Sequence, residues 1–107
     1  MDKRFALYSR VHHHRANLLL HILTVPLFMA GTVALALAWH WHWLAAAGPV
    51  AILAAMAAQG RGHAHEAERP APFAGPLDVV RRIFVEQWVT FPRFVASGSF
   101  ARAWRGE

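Results

Sequence analysis

Three consecutive histidines, His12–His14, are followed by Asn17 and His21 in the stretch YSRVHHHRANLLLHILTVP, residues 8–26. Neutral imidazole suits iron, zinc, copper or nickel as a ligand. In an apolar setting without a partner it is costly. On a straight helix His13, Asn17 and His21 are spaced i, i+4, i+8 and line one stripe, with His21 turned about 80° from His13. His12 is nine residues from His21 and falls on roughly the opposite side, so it joins the same site only if the helix begins after it or bends. His14 and His21, seven apart, nearly eclipse each other.

A second polar group follows at His63, His65 and Glu66, in which His63 and Glu66 share a face if the segment is helical. Several histidines with one carboxylate and open positions are the donor set of non-haem Fe(II) oxygenases, although these donor types alone do not choose between iron and zinc. Asn17 and Glu66 would support such ligands by fixing ring tautomer and orientation. The plainer alternative for any one of these histidines is a headgroup-level residue satisfied by water or phosphate. His21 resists it, because it lies about a turn inside an apolar helix, where ionisable residues are functional candidates by default.

The elements that would position these groups are those of a membrane protein. The chain has 107 residues, enough for one domain, 1–107, and 56% of them are apolar. From Ala16 to Gly60 there is no Lys, Arg, Asp or Glu, a run long enough for two passes of a bilayer at about 20 residues each. That run is also too long for the apolar core of a cleaved signal peptide. Without cysteine, thiolate zinc sites, iron–sulfur clusters and disulfides are excluded, which leaves His, carboxylate and backbone oxygen for any metal. The net charge of +5 is carried by arginines scattered around hydrophobic segments, so anionic lipid is a better counterpart than nucleic acid.

Six segments follow. A basic lead-in with interleaved Phe5, Leu7, Tyr8 and Val11 reads as a short interfacial helix, and a first spanning helix covers about 15–38, with a kink or widened turn at Pro26. The run WHWHW, residues 39–43, makes the turn of a helical hairpin, where His40 and His42 alternate with tryptophan as interface anchors. A short second helix covers about 44–58, tilted or crossing only part of the bilayer, and a Gly- and Pro-rich loop carries the second histidine group over 59–76. Residues 77–95 form a third, amphipathic helix with Leu77, Val80, Phe84, Trp88, Phe91 and Val95 on one face and Arg82, Glu86 and Arg93 opposite. The expected class is therefore all-α: a two-helix transmembrane hairpin plus an amphipathic third helix. Positive charge flanks the hairpin and is absent from its turn, which puts both ends in the cytoplasm, with His12–His14 and His63 on one side of the membrane.

The residues also carry a family pattern. Tyr8, His12, His13, Asn17, His21 and Pro26 follow Y-x3-H-H-x3-N-x3-H-x4-P, and Gly62, His63, Glu66, Pro70 and Ala71 form a second signature. Both, with the segment FVEQWVTFPRFVASG, resemble the 2-hydroxy fatty acid dioxygenase family of fatty-acid α-oxidation, which includes a yeast endoplasmic-reticulum enzyme and many short bacterial members. The resemblance implies an integral membrane enzyme, in the inner membrane if bacterial. It would use Fe(II) and O2 to convert a 2-hydroxy fatty acid to an acid one carbon shorter. It implies ligation by His12, His13, His21 and His63, with His65 an additional candidate, while the helical wheel prefers His13 to His12; both stay open.

A 2-hydroxy acid chelates a metal through carboxylate and hydroxyl, its chain would lie on the hairpin's apolar face, and Arg61 or Arg69 would hold the carboxylate or else mark topology. A chain this short also admits a homo-oligomer, a second copy helping to enclose the site. Two rival readings are a haem protein with axial histidines, for which the second helix offers no histidine within its apolar stretch, and a non-catalytic hairpin or regulatory subunit.

Overall fold

The structure, a computed structural model, describes residues 3–107. In order along the chain come α1 (Lys3–Arg10), α2 (Arg15–Ala36), α3 (Leu44–His63), α4 (Pro76–Val85), a π-helical turn (Glu86–Thr90), α5 (Phe91–Ala96) and α6 (Ser99–Trp104). No strand occurs among the described residues, so the fold is all-helical. Helices α2 and α3 form an antiparallel hairpin; the others gather at its open end around the first half of α2.

Each break has a local cause. Helix α2 starts late because His14 acts as its N-cap, the ring Nδ1 accepting from the Ala16 amide at 3.1 Å. Helix α4 starts at Gly75-Pro76, where proline at the first helical position needs no amide partner, and Asp78 in its first turn accepts from the Ala74 amide at 2.9 Å. Gly98 separates α5 from α6 with φ of 84°, a left-handed conformation that favours glycine.

Helices α2 and α3 meet closely where they carry glycine. A Cβ added at Gly31 would stand 2.9 Å from the Gly48 carbonyl oxygen, and one at Gly48 2.9 Å from that of Gly31. Small residues at such a crossing let backbones approach, as in membrane helix pairs. Both helices, of 22 and 20 residues, are long and apolar enough to cross a membrane. Much of their outer surface is uncovered apolar side chain, with Leu23 64% and Leu53 68% exposed. The tryptophans of the turn, Trp39, Trp41 and Trp43, are exposed as well.

Three expectations change. The second helix does not end at 58 but runs on to His63, through Gly60 and Gly62, because its last turns gain partners: Gln59 bonds Gln87 and Gly62 packs on Asn17. The sequence placed residues 59–63 in a loop on their glycines, which weigh against a helix only until tertiary contacts outweigh them. Pro26 lies inside α2 without a widened turn; the widened turn lies instead at Glu86–Thr90, where the Phe91 amide reaches back to the Glu86 carbonyl just ahead of Pro92. The extra residue in that turn resets the helical wheel. Leu77, Val80, Phe84, Trp88 and Val95 are exposed, as an apolar face turned to lipid would be, while Phe91 leaves that face and is buried with Gln87 and Phe94.

The core that results lies beside the histidines. Phe5 and Tyr8 of α1, Leu18 and Val25 of α2, Phe91 and Phe94 of α5 and Ala103 of α6 are buried together. Arg15 ties α6 to the start of α2, donating to the Trp104 carbonyl at 2.7 Å with its guanidinium 5.2 Å from that ring.

Candidate metal centre

The chain breaks between α1 and α2, and the break aims His12 inward. His12 is buried, its ring stacked on Tyr8 at 3.8 Å between centroids. His21, on the second turn of α2, is buried beneath it, and His63, the last residue of α3, returns along the hairpin to meet both. Ring centroids lie 4.5 Å apart for His12–His21, 4.5 Å for His12–His63 and 5.0 Å for His21–His63. One ring nitrogen from each lies within 4.8 Å of the others, close enough for one metal ion.

The hydrogen bonds decide the tautomers. His12 Nδ1 lies 2.7 Å from the Tyr8 carbonyl oxygen and His21 Nδ1 2.9 Å from that of Asn17. A carbonyl only accepts, so in both rings Nδ1 carries the proton and donates. In neutral imidazole the other nitrogen is then a bare lone pair. These two lone pairs, His12 Nε2 and His21 Nε2, face each other at 3.2 Å. With no proton between them they repel, and a shared cation removes the conflict. At about 2.1 Å from a metal, two imidazole nitrogens some 100° apart stand about 3.2 Å from each other, so the spacing is that of two ligands. His63 adds a buried Nδ1 with no hydrogen-bond partner. The three side chains thus fit a metal. Burial, with His21 and His63 beside it, pushes the His12 pKa well below the usual histidine value and keeps the ring neutral, as a ligand must be.

The surroundings are dry on one side. Phe91 packs 6.0 Å from His21 and Phe94 6.2 Å from His12, ring to ring. Tyr8, itself buried, has its phenol pKa raised well above the usual value by burial and then by Glu86, so it stays neutral.

The other sequence candidates take different places. His13 points outward, and its amide donates to Glu66 at 2.8 Å. The wheel that favoured it assumed a helix through residues 12–14, which the structure does not have. Glu66 also accepts from the His14 amide at 2.9 Å and from Asn17 Nδ2 at 2.8 Å, so it clips the end of α3 to the start of α2 and does not reach the ring cluster as a ligand. Asn17 donates through Nδ2 to Glu66 and, at 3.4 Å, to the Val11 carbonyl, and its own backbone carbonyl orients His21. His65 stacks on His14 at 5.2 Å, away from the three. Arg61 and Arg69 are exposed.

Sequence reasoning did not assign a role to Tyr8, although it lies four residues before His12, the spacing at which a helix carbonyl meets a following ring. It also passed over Gln59 and Gln87, which exchange two amide hydrogen bonds of 2.9 and 2.6 Å in the interior. The only hint was a lone glutamine in each of two apolar stretches. The glycine of Gly62-His63 has a steric cause as well: a Cβ there would collide with the Asn17 amide oxygen.

No curated protein matches the chain, and no solved structure does. Residues 1–96 match the family described as 2-hydroxy-palmitic acid dioxygenase Mpo1-like, a span that holds all three inward histidines, Asn17 and Glu66. With the match covering nearly its whole length, the chain belongs to that family.

Proposed function

We propose that the protein is a membrane dioxygenase that binds Fe(II) through His12, His21 and His63 and shortens 2-hydroxy fatty acids by one carbon. The observation that carries this reading is the pair of opposed Nε2 lone pairs at 3.2 Å, a buried arrangement that calls for a cation. Family membership supplies the substrate class and the use of O2. Fe(II) held by imidazoles supplies open coordination positions for substrate and O2 and the electrons with which O2 is engaged.

The chain's own groups do the rest. The Tyr8 and Asn17 carbonyls fix two rings with Nε2 inward. The Glu66 clip holds the break that points His12 into the site. Phe91 and Phe94 exclude water from the inner side. The balance needs no further reductant: a 2-hydroxy acid and O2 give the shorter acid, carbon dioxide and water, the two oxidised carbons supplying all four electrons. The exposed apolar belt of α2 and α3 lies in the bilayer with both hairpin ends on the cytoplasmic side, which brings an acyl substrate to the site from the lipid.

The test is metal content by elemental analysis after anaerobic Fe(II) loading, wild type beside His12→Ala, His21→Ala, His63→Ala and His13→Ala. The reading expects near-stoichiometric iron in the wild type and in His13→Ala, and loss in the other three. It also expects release of the shortened acid, seen by mass spectrometry when 2-hydroxy fatty acid and O2 are added. Wild-type protein that takes up no iron, or takes up zinc alone and releases no shortened acid, overturns it.

A further inference from the structure

A cavity of about 480 Å³, within the range of small-molecule sites, lies between α1 on one side and α4, the π-turn and α5 on the other. His12 and His63 form part of its wall, while His21 does not. The ligand cluster therefore has one side that opens on this cavity and one closed by Phe91 and Phe94. Its apolar lining includes Leu7, Val11, Val85 and Val89. Four arginines stand around it against two carboxylates, Asp78 and Glu86. Arg81 and Arg82 pair with Asp78 and Glu86, at 2.6 and 3.4 Å, so the charges of the wall offset one another, and the apolar side chains among them form the surface for a chain. Arg61 and Arg69 do not line it.

From this placement, and resting on the proposed function, we infer that this cavity, rather than the lipid-facing surface of the hairpin, is the seat of the 2-hydroxy fatty acid. The carboxylate and hydroxyl lie at His12 and His63, and the chain runs between Leu7 on α1 and Val85 and Val89 on the opposite wall. The π-turn takes part in this. It lets Val85 and Val89 line the cavity while Gln87 faces inward to bond Gln59. The open side of the cavity, along which Val89 remains 60% exposed, is where the chain enters. The apolar wall that the chain meets then sets which chain lengths are accepted. The metal that His12 and His63 would hold, and not an arginine of the wall, is the anchor of the anionic head.

Iron-loaded protein in lipid nanodiscs, kept anaerobic, is irradiated with a 2-hydroxy fatty acid bearing a terminal diazirine, and adducts are mapped by mass spectrometry. Adducts on Leu7, Val85 or Val89 that excess unlabelled 2-hydroxy fatty acid displaces are the expected result. Displaceable adducts confined to outer positions of the hairpin, such as Leu23 and Leu53, overturn the inference. A second readout uses Val85→Phe and Val89→Phe, which narrow the cavity without touching a ligand. They should keep wild-type iron content and lower kcat/KM for long chains relative to short ones by about tenfold or more, whereas Leu53→Phe leaves the preference unchanged. An unaltered chain-length preference in both cavity variants also overturns it. Wild-type protein that holds iron and shows displaceable cavity adducts, yet releases no shortened acid, fails the dioxygenase reading and leaves the seat standing.

Discussion

Three adjacent histidines perform three different tasks. His12 turns inward to the ring cluster, His13 contributes only its amide to Glu66, and His14 caps α2. What separates them is a carboxylate far along the chain. Glu66 collects the His13 and His14 amides and the Asn17 side chain, at 2.8, 2.9 and 2.8 Å, so it holds the break in which His12 sits. Its removal leaves the two exposed amides to water and Asn17 Nδ2 to the Val11 carbonyl alone, so what is lost is the net worth of the bonds, on the order of 1 kcal/mol. Glu66→Ala should therefore lower the melting temperature and weaken iron retention while leaving helix content intact. Thermal melts followed by circular dichroism, together with iron content after dialysis, measure both; a variant that melts and holds iron like the wild type removes the clip from the account.

At the scale of elements, two contacts decide how the helices close on the site. The end of α3 approaches α2 only because residue 62 has no side chain, since a Cβ would collide with the Asn17 amide oxygen. Gly62→Ala should push α3 and His63 outward and release the metal while both helices remain. Iron content near zero with an unchanged helical spectrum is the expected pairing, and full iron retention contradicts it. The second contact is the reciprocal amide pair of Gln59 and Gln87, which joins α3 to the π-turn. Removing one partner strands a buried amide, so Gln59→Leu and Gln87→Leu should each destabilise by about 1–3 kcal/mol. The double variant should cost clearly less than the two together, because no polar group is then left unpaired. Denaturant or thermal titration of the four proteins gives the coupling directly, and strict additivity denies it. Thr32 adds a weaker tie by accepting from Trp88 Nε1 at 3.1 Å.

For the whole molecule the hairpin matters as a device that returns the chain to where it began. His63 meets His12 and His21 because α2 and α3, of similar length, are antiparallel. If the hairpin spans a bilayer, its turn and its open end face opposite sides. The absence of cysteine makes this simple to measure. In right-side-out vesicles a membrane-impermeant maleimide should label His42→Cys at the turn at once, and Glu68→Cys beyond α3 only after permeabilisation. Equal labelling of both in sealed vesicles contradicts a spanning hairpin, and the reverse order inverts the proposed topology. The exposed face of α4 and the residues after it, with Leu77, Val80 and Phe84, would then lie along the cytoplasmic lipid surface.

Much of this was legible from residue types and local spacing. A charge-free run of membrane-crossing length, tryptophans at its midpoint, and histidines at its two ends declare an all-helical hairpin with a polar site at its mouth. Those signals are local: they depend on composition and on the periodicity of a single helix, which a linear chain displays openly. Tertiary contact settled what periodicity could not. Which of His12 and His13 faces inward depends on a helix break held by Glu66, and the length of α3 depends on Gln87 and Asn17. The buried face after α4 depends on a π-turn that one inserted residue creates. Each is a choice between local conformations of similar free energy, and in each the partner that tips it comes from a distant part of the chain.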